Sequence, residues 1–202
     1  VAHGDFAFLN LGRDGIATID ASDPVAPEQV YSHSFTGDPT ALQIQGNYLF
    51  ATSSIGTLWT YRIENPRAMG IFTFDQTIED AYDMAIRDGL AYVCEREYGV
   101  EVIDVSDPFH ITSLGVVDTV RPVTQVTIID DLMYLMGSET SVYDLSADPL
   151  EPTLVGTFDA TPRAIARTGD IGFFANSVLG VQIFDLSSLD KPVPLATFDA
   201  PT

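Results

Sequence analysis

The sequence predicts an all-β fold, a β-propeller of five four-stranded blades, and three observations predict it. A unit of roughly 42 residues returns five times and fills nearly all 202 positions. Within each unit the apolar runs are short, rich in Val, Ile, Phe and Tyr, and bounded by Gly, Asp, Asn and Pro, which is the composition of strands and turns. No stretch sustains the apolar period of a helix, so almost no helix is expected.

The third unit shows the elements most clearly. Asp80–Ile86 reads as a first strand, and Asp88-Gly89 as the turn into a second, Leu90–Cys94. The loop Glu95–Gly99 leads to a third strand, Val100–Val105. The turn Ser106-Asp107-Pro108 leads to a fourth, Ser113–Val117. Three markers hold the period. Asp20, Arg62, Asp104, Asp144 and Asp185 close the central strands, Arg62 marking the most divergent copy. Phe8, Phe50, Tyr92, Tyr134 and Phe173 recur in the preceding strand, and Phe74, Val117, Phe158 and Phe198 near the end of the unit. Strands such as Val102-Ile103 and Ile183-Phe184 are apolar on both faces. A sheet with one wet face would alternate instead. Sheets covered on both sides, at this repeat length, are the blades of a propeller, each marker aromatic packing on the next blade.

The repeats divide the single domain 1–202 into 1–37, 38–79, 80–120, 121–160 and 161–202. The first unit is short of an innermost strand, with only Val1-Ala2-His3 before Gly4. Two readings follow. The chain termini, Pro201-Thr202 and Val1–His3, complete one blade and close a five-blade ring, or the chain is part of a larger propeller. The start at Val1 rather than Met fits a processed or trimmed chain. An open row would leave an apolar blade face needing a partner, either by self-association or from the remaining blades of a longer chain.

Gly99-Val100-Glu101-Val102-Ile103-Asp104-Val105-Ser106-Asp107-Pro108, preceded by Gly89-Leu90-Ala91-Tyr92-Val93, resembles the LVIVD repeat of bacterial and archaeal surface proteins. The resemblance extends over the other units and is weakest in the second. It implies a β-propeller on an exported or surface-attached protein, hence an extracellular or cell-surface location. It brings no shared catalytic motif.

The repeated Asp-x-Ser-Asp-Pro segments read as turns. Asp and Ser side chains accept backbone N–H groups a residue or two on, and Pro stops the strand. A calcium loop would need about six to eight oxygens in one loop, where each copy offers two or three. No cofactor is therefore expected, with surface-bound calcium kept open. Gly4, Gly46, Gly89 and Gly169 read as hairpin turns requiring φ > 0.

The chain carries 29 acidic against 9 basic residues, a net charge of −20, with Lys191 its single lysine. Such a field repels phosphates, which excludes nucleic acid as a partner. No apolar run is long enough for a membrane span. Cys94 stands alone, so no internal disulfide staples the fold, and it reads as a small buried side chain.

Propeller strands alternate in direction. Loops leaving the fourth strand therefore share a face with loops joining the second and third strands. These segments differ between repeats while the strands do not, which is where repeat scaffolds bind. The candidate ligand-binding residues on this face are Asp38, Asp80, Tyr82, Asp83, Glu95, Arg96, Tyr98, Arg121 and Arg163. Asp80, Asp83, Arg121 and Arg163 are expected to approach near the axis, with Tyr82 and Tyr98 flanking them. No nucleophile, zinc or phosphate-loop motif appears, and His3, His33 and His110 sit at non-equivalent places. No catalytic residue is assigned. The reading is a non-catalytic interaction or adhesion module for a protein or glycan. The alternatives are a polysaccharide hydrolase or lyase using the loop-face carboxylates, and an architectural unit of a surface layer or fibre.

Overall fold

The computed structural model describes residues 1–75, 78, 80–119 and 121–199. Among them, twenty strands form five antiparallel sheets of four, each in simple chain order. Blade 1 holds β1 (Ala2–His3), β2 (Phe6–Asn10), β3 (Ile16–Asp20) and β4 (Glu28–His33). Blade 2 holds β5 (Pro39–Gln45), β6 (Tyr48–Ser53), β7 (Leu58–Arg62) and β8 (Gly70–Asp75). Blade 3 holds β9 (Asp83–Arg87), β10 (Leu90–Cys94), β11 (Val100–Asp104) and β12 (Thr112–Val117). Blade 4 holds β13 (Val123–Ile129), β14 (Leu132–Gly137), β15 (Thr140–Asp144) and β16 (Thr153–Phe158). Blade 5 holds β17 (Ala164–Thr168), β18 (Ile171–Asn176), β19 (Gly180–Asp185) and β20 (Val193–Phe198). The helix content of the described residues is one short 3-10 turn, Gly12–Asp14. The fold is a β-propeller. Glu79, Val120 and Pro201-Thr202, on which parts of the loop-face and ring-closure readings fall, lie outside the described residues.

Two expectations are corrected. Blade 1 does have an innermost strand: Ala2 and His3 pair with Ala7 and Phe6, a short rung on β2. The first strand of blade 3 begins at Asp83, where pairing with Cys94 starts. Asp80-Ala81-Tyr82 approach as a loop, tied by the Tyr82 N–H to the Cys94 carbonyl at 2.9 Å.

Local chemistry explains the turns. Each inner hairpin has two turn residues, and the first takes φ > 0: Gly4, Gly46 and Gly169, but Asp88 and Asp130 in blades 3 and 4. Gly89, the second residue of its turn, also takes φ > 0, at 84°, as its place in the hairpin predicts. Asp replaces Gly here because its short polar side chain tolerates the left-handed region. At the start of β11, Gly99 sits at φ 101, and a Cβ there would collide with the Val117 carbonyl across the ladder. The strand-closing aspartates act as the sequence implies. Asp20, Asp104, Asp144 and Asp185 each accept the N–H two residues on, at 2.8 to 2.9 Å. Asp107 and Asp148 repeat the device one turn later. In all five blades the outer strand pair shifts register at the same point, just after the residue facing the marker aromatic, for example between Val102 and Ile103. A bulge there adds twist to the outer strand.

Packing between blades follows one rule. Each blade has a leading face toward the next blade and a trailing face toward the previous one. Phe8, Phe50, Tyr92 and Tyr134 are buried on leading faces, paired across the sheet with Thr18, Thr60, Val102 and Val142. Trailing faces answer with the alternate residues. Leu49, Ala51 and Tyr61 pack with Phe8, and Ala91, Val93 and Ile103 with Phe50. Met133, Leu135 and Tyr143 pack with Tyr92, and Phe174 and Phe184 with Tyr134. The alternation of a strand thus supplies both faces of every blade. Phe173, the fifth marker aromatic, departs from the rule and is only half-buried.

Candidate functional site

The loop face is built from the segments entering β5, β9, β13 and β17 and the loops after β2, β6, β10, β14 and β18. Between blades 3 and 4, Arg96 and Tyr82 meet. The Arg96 guanidinium lies 5.8 Å from the Tyr82 ring centroid, and its Nη1 donates to Tyr82 Oη at 3.4 Å. Arg96 holds φ 50, a left-handed conformation rare outside glycine, and its carbonyl accepts the Val123 N–H at 3.1 Å. That strained residue therefore joins blade 3 to blade 4. Tyr98 stands exposed beside it.

Asp83 turns inward. Its Oδ2 accepts the Val126 N–H of the next blade at 3.0 Å. Burial raises its carboxyl above the ordinary value, and N–H groups of Val126 and Met84 offset part of that. Glu95 is buried as well. Cys94 lies at the core, as its sequence position suggests, and burial with the nearby Asp83 charge pushes its thiol well up, away from the reactive thiolate. Arg121 pairs with Glu139, Nε to Oε1 at 3.1 Å. Asp38 exchanges hydrogen bonds with Ser54 through its backbone, and Asp80 is half-buried before β9. The structure thus brings Tyr82 and Arg96 together, while Asp83 and Arg121 each engage a different partner. His33 faces Tyr61 at 2.8 Å and His110 faces Asp107 at 2.8 Å, in separate parts of the fold. Among the described residues, no group of three or more His, Cys, Asp or Glu side chains is arranged to hold a metal ion.

Arg163 lines a cleft of about 240 Å³ between blades 4 and 5, on the same loop face. Thr124, Gln125, Thr161, Asn176 and Ser177 supply most of the polar wall. Two amides are held in place. Gln125 Nε2 donates to the Arg163 carbonyl at 3.4 Å, and Asn176 Nδ2 to the Thr161 carbonyl at 3.3 Å. Asn176 Oδ1 also accepts the N–H groups of Val178 and Leu179, which fixes the loop beyond β18. Among the described residues, the Arg163 guanidinium has no ion-pair partner. Of these lining residues, sequence reading singled out only Arg163. Asn176 occupies the repeat position of Glu95, so reading that position across all five units was the signal that would have found it.

A polar inter-blade cleft on a repeated all-β scaffold defines a β-propeller repeat protein. Residues 79–119, the stretch that carries the strands of blade 3, match the LVIVD repeat. Among solved structures, the computationally designed Ika8 protein superposes with a TM-score of 0.72 at 11% identity, over 98% of this chain and 61% of that one. BamB from Moraxella catarrhalis does so with a TM-score of 0.66 at 12% identity, over 96% of this chain and 58% of its own. The designed Ika4 protein gives 0.59 at 12% identity, over 77% of this chain and 95% of that one. The chain therefore spans about three fifths of the Ika8 and BamB chains it matches. At such identities the likeness is one of fold. No curated protein matches the sequence. No helix among the described residues is long and apolar enough to cross a membrane.

Proposed function

We propose that this chain is a non-catalytic interaction and adhesion module of an exported or cell-surface protein, binding a protein or a glycan through its variable loop face. The observation that carries this reading is the cleft between blades 4 and 5. It is concave and lined by side-chain amides and hydroxyls, with one arginine at its edge, Arg163, that has no ion-pair partner among the described residues. Amide and hydroxyl groups fixed by the backbone suit neutral polar ligands such as sugar hydroxyls or peptide groups, and the arginine suits a carboxylate on either. The Tyr82–Arg96 pair and exposed Tyr98 extend the same face with aromatic area.

The test is a screen of the chain against a glycan array and a peptide library, with and without calcium. Arg163→Ala is expected to weaken a captured ligand about tenfold or more, which corresponds to about 1.4 kcal/mol. Lys191→Ala, on the opposite face, is expected to leave it unchanged. A ligand that binds both variants like the wild type would place recognition elsewhere.

A further inference from the structure

Resting on the reading of the cleft between blades 4 and 5 as the ligand site, we propose that it takes a uronate residue of an acidic polysaccharide, with the carboxylate on Arg163 and the ring hydroxyls on the amides around it. The hydrogen-bonding capacity that the fold leaves unused points there. Asn176 Oδ1 has both lone pairs taken by the Val178 and Leu179 N–H groups, and one Nδ2 hydrogen goes to the Thr161 carbonyl. Asn176 therefore has one N–H left. Gln125 gives one Nε2 hydrogen to the Arg163 carbonyl. Among the described residues, its other N–H and its Oε1 stay unused. The Thr124 hydroxyl donates to the Met136 carbonyl at 3.4 Å and can only accept further bonds. Among the described residues, the Arg163 guanidinium has no hydrogen-bond or ion-pair partner, so all of its N–H groups remain. The unspent capacity is mostly donor, and the ligand that matches it is rich in acceptors.

Charge selects the acceptor. The chain has 29 carboxylates, yet none of the residues lining the cleft is acidic, and Arg163 is the cation among them. A surface with a net charge of −20 repels anions, so an unpaired guanidinium in an acid-free wall is what admits one. A guanidinium grips a planar carboxylate through two parallel N–H bonds, whereas a phosphate would bring up to about two negative charges to one cation. The cleft holds about 240 Å³, less than the roughly 300 to 1,000 Å³ of a site for a drug-sized ligand, so it takes one residue of a chain. The Thr161 and Ser177 hydroxyls and the two remaining amide N–H groups supply partners for ring hydroxyls. The apolar side chains of the lining are Met136, Pro162 and Val178, and Val178 is 86% exposed. Such a wall offers no closed recess for the last side chain of a peptide, which favours a uronate over a peptide C-terminus.

Titration calorimetry on the full chain tests this. Galacturonate, mannuronate and glucuronate trisaccharides are each compared with the carboxyl-reduced counterpart, with EDTA present so that calcium bridges no carboxylates. At about 0.15 M NaCl, charges more than about 8 Å apart are largely screened, which leaves the contact at Arg163 to be read. At least one acid form is expected to bind about tenfold or more tightly than its reduced form. Arg163→Ala alters an exposed side chain, and circular dichroism checks that the variant folds. In that variant the acid and reduced forms are expected to bind alike. Equal binding of the two forms by the wild type overturns the uronate and leaves the cleft a site for neutral sugars. A preference that survives Arg163→Ala overturns the placing of the carboxylate on Arg163. Peptides with free and with amidated C-termini are titrated alongside. Binding of free C-termini alone, lost in Arg163→Ala, overturns the glycan and keeps the cleft as the ligand site. Binding of neither sugars nor peptides overturns the uronate and the cleft together.

Discussion

Asp83 carries two opposing demands in one side chain. Its carboxylate closes an N–H of the neighbouring blade, and its burial works against the charge that makes that bond strong. The folded value is raised above 3.8, so folding favours the protonated form. The stability this residue contributes is therefore complete below the unfolded value and is lost as pH rises through the folded one. Asp83→Asn keeps a carbonyl oxygen for Val126 and cannot ionise. The variant is expected to gain on the wild type as pH rises from about 4 to about 7, measured by thermal melts at a series of pH values. A gap that does not change with pH would mean that the Asp83 charge is compensated in the fold. The turn aspartates run the other way. Bonds from the Ser106 hydroxyl and N–H hold Asp104 below its ordinary value, so its contribution is present above that value and is lost as pH falls through the lowered one.

At the scale of the blade, the same aromatic position separates a covered face from an uncovered one. Tyr92 is fully buried between blades 3 and 4, and its hydroxyl donates to the Pro149 carbonyl at 3.1 Å. Tyr92→Ala is expected to cost about 3–5 kcal/mol in chemical denaturation, the range for deleting a large buried aromatic. Tyr92→Phe removes one hydrogen bond and is expected to cost about 1 kcal/mol. Phe173→Ala, at the equivalent place on the half-buried face, is expected to cost about 1 kcal/mol or less in dilute monomer. Equal losses at Tyr92 and Phe173 would show that the fifth blade is covered in solution. This contrast also marks what the sequence could reveal. Strand order, turn aspartates and marker aromatics were legible because each repeats with the blade. The rung made by Ala2 and His3 was too short for any pattern to register. The Asp88-Gly89 turn was legible as well, because a short polar Asp and a Gly both tolerate the left-handed region that the two residues adopt. The Thr124–Arg163–Asn176 cleft joins three segments of two blades, and no local periodicity connects them. Asp83 read as a free carboxylate because nothing in its own segment announces the Val126 N–H.

For the molecule as a whole, a large acidic excess is laid over a well-packed apolar core. The four inter-blade clusters are built alike, and among the described residues seven arginine–carboxylate pairs are found, most of them exposed and so worth little each. Against 29 carboxylates there are 9 basic residues, and several carboxylates are held ionised by the turns they close. Repulsion among them acts in the folded state, where the charges are closest, and it is screened over about 10 Å at 0.1 M salt. Raising NaCl from about 0.01 M to about 0.5 M is therefore expected to raise the midpoint of thermal unfolding, read by scanning calorimetry at neutral pH and low protein concentration. A wild-type midpoint that ignores salt would show that the carboxylates are spaced widely enough to leave folding indifferent to their sum.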